Sequence, residues 1–91
     1  MDEAMAEMDP QPDVTEHLDT RGNVCPLPIL MTAKAMKRLE VGQVLEVLGD
    51  DPAILDDMPV YCYRAGHRLL GMEEDEEDGT IRCYVEKVKV G

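Results

Sequence analysis

Residues 25–48 read CPLPILMTAKAMKRLEVGQVLEVL, a proline-led helical pattern running into a short β-rich one. From Pro26 to Glu40, Ile29, Thr32, Ala33, Met36 and Leu39 recur at the three-to-four-residue spacing of one helix face. At about 100° per residue, Lys34, Lys37 and Arg38 fall on the opposite side. Gly42 stands where a glycine ends a helix. Val44-Leu45-Glu46-Val47-Leu48 follows as a buried strand.

Upstream, Val14, Glu16 and Leu18 share one face of a first strand, closed by an Arg21-Gly22-Asn23 loop. Downstream, Gly49-Asp50-Asp51-Pro52 breaks the second strand, and the two aspartates read as turn residues accepting from nearby backbone donors. A proline inside a helix removes a hydrogen bond and clashes, so Pro59 places 52–56 in a turn and starts the second helix near Asp57 or Met58. Met58, Tyr61, Cys62 and Ala65 form its buried stripe, and Gly66 is its stop. Arg68 to Glu74 and Thr80 to Val90 are strands joined through Asp78-Gly79, a hairpin signal. Ile81, Cys83 and Val85 alternate inward. The apolar phase then moves to Val88 and Val90, which predicts a bulge or a change of neighbour. The order β-α-β-α-β-β predicts an α/β (α+β) two-layer sandwich, two helices packed on one face of a four-stranded mixed sheet. Residues 14–91 are expected as one domain, and residues 1–13 as a disordered acidic tail with too few apolar groups to offset ordering entropy.

The chain has 91 residues, with 20 acidic against nine basic side chains and a formal charge of −11. Residues 1–16 carry −6, the run Glu73-Glu74-Asp75-Glu76-Glu77-Asp78 another −6, and everything else +1. Such acidity disfavours a phosphate-binding surface. With no Phe or Trp and three Tyr, a base-stacking platform is disfavoured too. Three cysteines fit reduced thiols better than a disulfide framework. The acidic N-terminus lacks the basic region of a signal peptide, and no apolar run approaches the roughly 20 residues that span a bilayer. The expected location is the cytoplasm.

Cys25 is the residue with chemistry. With Pro26 at the first helical position it is expected as the N-cap, its sulfur at the positive end of the helix, which favours thiolate over thiol. Pro28 has no N–H, so Leu27 is the main local donor, and the thiolate is held by few hydrogen bonds. Pro28 also occupies the place of a resolving cysteine in a Cys-x-x-Cys motif. An added sulfur or mixed disulfide on Cys25 therefore meets nothing local that displaces it. The simpler reading makes Cys25 a small capping residue, although Ser, Thr, Asp and Asn cap better.

Arg21-Gly22-x-x-Cys25-Pro26-x-Pro28, Lys34-Ala35, Gly42, Asp50-Asp51-Pro52-Ala53, Cys62 and Gly66-His67 together resemble the TusA/SirA-like sulfur-carrier family, in order from about Leu18 to Lys87. The resemblance implies a two-layer α/β sandwich and a persulfide on Cys25, supported by Arg21, Gly22, Pro26, Leu27 and Pro28. It implies a donor, either a rhodanese or a cysteine desulfurase, and an acceptor protein in tRNA thiolation, molybdenum-cofactor assembly or sulfur oxidation. It implies no cofactor and no independent turnover. The acidic N-terminal extension, the 73–78 run and Cys83 depart from the family pattern.

Cys62 and Cys83 read as buried core cysteines. Cys62-x4-His67 with Cys25 lacks the close cysteine pair or second histidine of a zinc site. His67 follows a helix end, where an imidazolium interacts favourably with the dipole, but a structural role is the better reading; His17 reads as a surface residue. Lys34, Lys37 and Arg38 are either a solvated face or a docking surface that guides an acidic partner to Cys25. Two other classes stay open: a thiol redox protein or peroxidase pairing Cys25 with Cys62, and a regulatory or RNA-binding module. Neither a membrane nor direct nucleic-acid contact is expected.

Overall fold

Alternation and helical period divide the chain into six elements: β1 (Glu16–Asp19), α1 (Leu27–Met36), β2 (Val44–Gly49), α2 (Ile54–Ala65), β3 (Arg68–Glu74) and β4 (Ile81–Glu86). The computed structural model describes residues 13–89. Asp13 is exposed; the rest of the expected acidic tail, and Val90, lie outside the described residues. The strands form one sheet in the order β1-β2-β4-β3. β1 runs parallel to β2, and β4 is antiparallel to both β2 and β3. Both helices pack on one face, giving the two-layer mixed-sheet sandwich that the element order predicts.

The core lies between the layers. Leu45 and Val47 from β2 and Ile81, Cys83 and Val85 from β4 meet Ala35, Met36 and Leu39 of the α1 segment and Ile54, Met58 and Cys62 of α2. The open face is polar: His17 Nδ1 meets Glu46 Oε1 at 2.5 Å. Arg82 Nε lies 3.0 Å from Glu46 Oε2, an ion pair without hydrogen-bond alignment.

α1 is shorter than the periodicity predicts. Its N-cap is Pro26, and Cys25 sits one residue earlier. The reason is local: Leu30 N–H donates to the Pro26 carbonyl at 3.0 Å, while Leu27 N–H turns back to Val24 O at 3.0 Å. At the other end, Arg38 and Leu39 donate to carbonyls three residues back, Ala35 and Met36, so the last turn tightens and the α-helix stops at Met36. Thr32, Met36 and Leu39 are buried as expected, but Ala35 joins them and Ile29 and Ala33 are only half-buried. Gly42 does not end the helix; it lies in the turn before β2, its N–H on Lys87 O. The buried Lys87 ammonium donates to the Leu39 carbonyl at 2.6 Å and, beside the Leu39 N–H, to the Met36 carbonyl at 2.9 Å.

α2 overturns the expected turn over 52–56. It starts at Ile54 and carries Pro59 inside. Ile54, Met58 and Cys62, at i, i+4 and i+8, are each no more than 2% exposed, and starting at Asp57 would strip Ile54 from this seam. Burying Ile54 contributes about 2 kcal/mol. Asp56 and Asp57 in the first turn add favourable charge at the positive helix end. Together these offset most of the roughly 3 kcal/mol cost of an internal proline. Gly66 ends α2 as expected, at φ +79°, with Gly66 N–H on Tyr63 O and His67 N–H on Cys62 O.

The phase change expected near Val88 is not a bulge in β4. β4 ends at Glu86, and the register slip falls in β3 between Leu69 and Gly71. Val88 is exposed while Lys87 points inward.

Candidate functional site

Cys25 is anchored through its backbone. The strand end is pinned by Thr20, whose N–H and hydroxyl both donate to Leu48 O at 2.7 Å. Gly22, at φ +89°, donates its N–H to the Asp50 carboxylate at 3.1 Å. Cys25 N–H donates to Asp51 Oδ2 at 2.7 Å, while Asp51 Oδ1 accepts Ala53 N–H at 3.0 Å. One carboxylate thus ties the Cys25 turn to the entry of α2. Both donors hold Asp51 below the usual carboxylate range. Arg21 makes a two-pronged pair with Asp19 at 2.9 and 2.8 Å, which lowers Asp19 to about 2. Both lie on the surface beside the turn and do not touch the sulfur.

The expected thiolate is reversed. Burial first, then the Asp57 carboxylate beside the sulfur, then the charge of Asp51, push the Cys25 thiol up to about 11. The helix end has little to counter them with: Leu27 N–H is occupied by Val24 O, and Pro26 and Pro28 have none. Cys25 is nevertheless the accessible thiol of the three, half-buried where Cys62 and Cys83 are buried. Burial raises those two to about 11 and about 12. All three cysteines are free.

A groove of about 580 Å³ runs from this turn between α1 and α2, lined by Pro26, Ile29, Asp57, Val60, Tyr61, Arg64 and Ala65. Leu27 and Pro28 separate: Leu27 is exposed, and Pro28 is buried. Lys34, Lys37 and Arg38 are all exposed, as expected. They do not lie beside the thiol. They sit at the far end of α1, roughly 15 Å along its axis at 1.5 Å per residue, where Arg38 pairs with Glu16 at the start of β1. The acidic hairpin, in contrast, shares the Cys25 end of the sheet, with Asp78 and Arg21 acting on each other's charge. His67 takes no imidazolium role: its Nδ1 accepts Val88 N–H at 3.2 Å, and burial with Lys87 and Lys89 lowers its pKa. Among the described residues, no group of three His, Cys, Asp or Glu side chains is arranged to hold a metal. No described helix is long and apolar enough to cross a membrane.

The family model described as Sulfurtransferase TusA matches residues 16–87, from the first residue of β1 to the buried lysine after β4. The chain belongs to the TusA family. A relative from Archaeoglobus fulgidus, named a putative sulfur carrier protein, is 40% identical over 74 residues, covering 81% of this chain and 95% of the relative. The sulfur carrier protein TusA of Pseudomonas entomophila is 40% identical over 70 residues, covering 77% and 85%. A SirA-like protein of Desulfitobacterium hafniense has a crystal structure that superposes with a TM-score of 0.72 at 25% identity, covering 82% of this chain and all of that one. The resemblance carried by Cys25-Pro26-x-Pro28 thus extends to fold and family. Sequence reasoning missed Asp51 and Asp57 as neighbours of Cys25. The Asp50-Asp51 pair was visible as a backbone acceptor, but its cross-chain partner was not.

Proposed function

We propose that this TusA-family protein is a sulfur carrier that holds sulfane sulfur as a persulfide on Cys25. The observation that carries the reading is the position of Cys25: the accessible thiol of the three, on a turn tied down at its N–H, with Pro28 where a resolving cysteine would stand. In the loading step the Cys25 sulfur attacks the outer sulfur of a donor persulfide. The donor S–S bond breaks, the electron pair leaves on the donor's inner sulfur, and that sulfur takes the proton. The reverse step on an acceptor cysteine returns Cys25 to the thiol, so no external oxidant or reductant is consumed. The donor is a rhodanese or a cysteine desulfurase and the acceptor a second protein of a sulfur relay in the cytoplasm. The chain itself acts as their substrate without independent turnover. Arg21, Gly22, Pro26, Leu27 and Pro28 shape the turn, and Lys34, Lys37 and Arg38 offer a second contact further along α1.

A Cys25–Cys62 redox couple is disfavoured because Cys62 is 2% exposed and its sulfur belongs to the core seam. The test is loading with a cysteine desulfurase and cysteine, read by intact mass. Wild type is expected to gain about 32 Da, one sulfur atom, and Cys25→Ser nothing. Equal loading of the two proteins would end the reading.

A further inference from the structure

The surface around Cys25 divides into an apolar centre and an acidic rim. Val24, Leu27 and Val60 are 71%, 45% and 50% exposed, and Val60 lines the α1–α2 groove together with Pro26, the residue between Cys25 and Leu27. Asp57 lines the groove, Asp51 holds the Cys25 N–H and Asp50 the Gly22 N–H, and among the described residues no ion pair includes any of the three. Behind the Arg21 loop stands the hairpin tip with Glu73, Glu74, Asp75 and Asp78. Of the cations near by, Arg21 is bound by Asp19, which leaves Arg64 on the groove wall.

Sulfur transfer between proteins brings two sulfurs into bonding contact. Whatever surrounds the partner's sulfur is therefore pressed against this rim with little water between. Like charges would repel there, and opposite charges would orient the encounter. We propose that the groove and its aspartate rim are the docking surface for a protein that carries a basic collar and an apolar side chain beside its reactive sulfur. The inference rests on the carrier reading above and adds to it the chemistry of the partner. Docking then also has a chemical effect. Cations placed against Asp57 and Asp51 offset the carboxylates that keep the Cys25 proton in place, so the nucleophile forms in the complex. The same cations make Cys25 a better leaving group when sulfur moves on. Anionic small thiols, by contrast, are held off by the rim, which protects the carried sulfur.

The probes are two synthetic peptides, Lys-Leu-Cys-Leu-Lys and Glu-Leu-Cys-Leu-Glu, each with its cysteine as a 2-pyridyl disulfide. Cys25 attacks the peptide sulfur, a Cys25–peptide disulfide replaces the pyridyl one, and thiopyridone leaves with the proton, so its absorbance reports the rate. At low ionic strength the lysine peptide is expected to react about tenfold faster or more, and the gap is expected to shrink in 1 M salt. Asp57→Asn is expected to narrow the ratio of the two rates, which cancels any change in intrinsic thiol reactivity. Equal rates, a preference for the glutamate peptide, or a preference untouched by salt would overturn the proposal. Should the variant fail to fold, the salt dependence of the wild-type ratio decides alone. Desulfurase loading is measured separately: failure to load with the ratio intact removes the carrier reading, and normal loading with equal rates removes the basic-collared partner.

Discussion

Burial and two aspartates act on the Cys25 sulfur in the same direction. A thiol is neutral when protonated, so both influences favour S–H, and thiolate accumulates only as pH climbs towards about 11. Alkylation by the uncharged reagent iodoacetamide is therefore expected to keep rising through about pH 9, where an unperturbed thiol is already half ionised. Asp57→Asn removes one charge and leaves the burial. It is expected to bring the profile down by about one pH unit, making alkylation near pH 8 roughly tenfold faster. A profile that stays put, or moves up, would show that Asp57 does not govern the thiol. The error of sign at this residue has a physical source. The helix end that favours thiolate is written next to Cys25, whereas the carboxylate on its N–H comes from 26 residues along the chain. Only the fold brings them together. At His67 the helix-end position and a structural role were legible, but the burial and the lysines after β4 that disfavour its charge were not.

At the scale of elements, periodicity read the seams well and the ends poorly. Met58 and Cys62, and Ile81, Cys83 and Val85, are buried as their spacing predicts, because one seam against one sheet rewards that spacing whatever the neighbours are. The ends of α1 depend on partners from elsewhere. The carbonyls of Met36, its last residue, and of Leu39 in the turn beyond are held by Lys87 from beyond β4, and a charged residue after a strand carries no signal that it turns inward. The start of α2 depends on a balance that a rule about proline does not contain, the burial of Ile54 against the bond that Pro59 lacks. Lys87→Met keeps the aliphatic length and removes both charge-assisted hydrogen bonds. It is expected to cost about 2 kcal/mol in urea unfolding, with the Cys25 alkylation profile unchanged. A loss below about 0.5 kcal/mol would mean that the two carbonyls find other donors.

Over the whole molecule, charge is arranged by end rather than by face. β1 and β2 run parallel, so the loops after both, with Asp19, Asp50 and Asp51, meet at one end, and the antiparallel hairpin brings Glu73 to Asp78 to the same end. α1 starts there just after Cys25 and carries Lys34 and Lys37 towards the opposite end. The net charge of −11 therefore misdescribes what a partner meets, which is an acidic surround at the thiol and a cationic patch roughly 15 Å away. A partner that spans the length of α1 feels both signs, which fixes its orientation as well as its approach. Lys34 and Lys37 form no ion pair among the described residues, whereas Arg38 is engaged with Glu16, so the two lysines are the ones to reverse. Lys34→Glu/Lys37→Glu is expected to slow sulfur transfer from a cysteine desulfurase about tenfold at low salt and to change stability by only about 0.5 kcal/mol, since both side chains are exposed. Stopped transfer assays at low and high salt, beside urea unfolding of the same variant, measure both quantities. Transfer rates equal to wild type would leave the lysines as a solvated face, and the acidic end alone would then choose the partner.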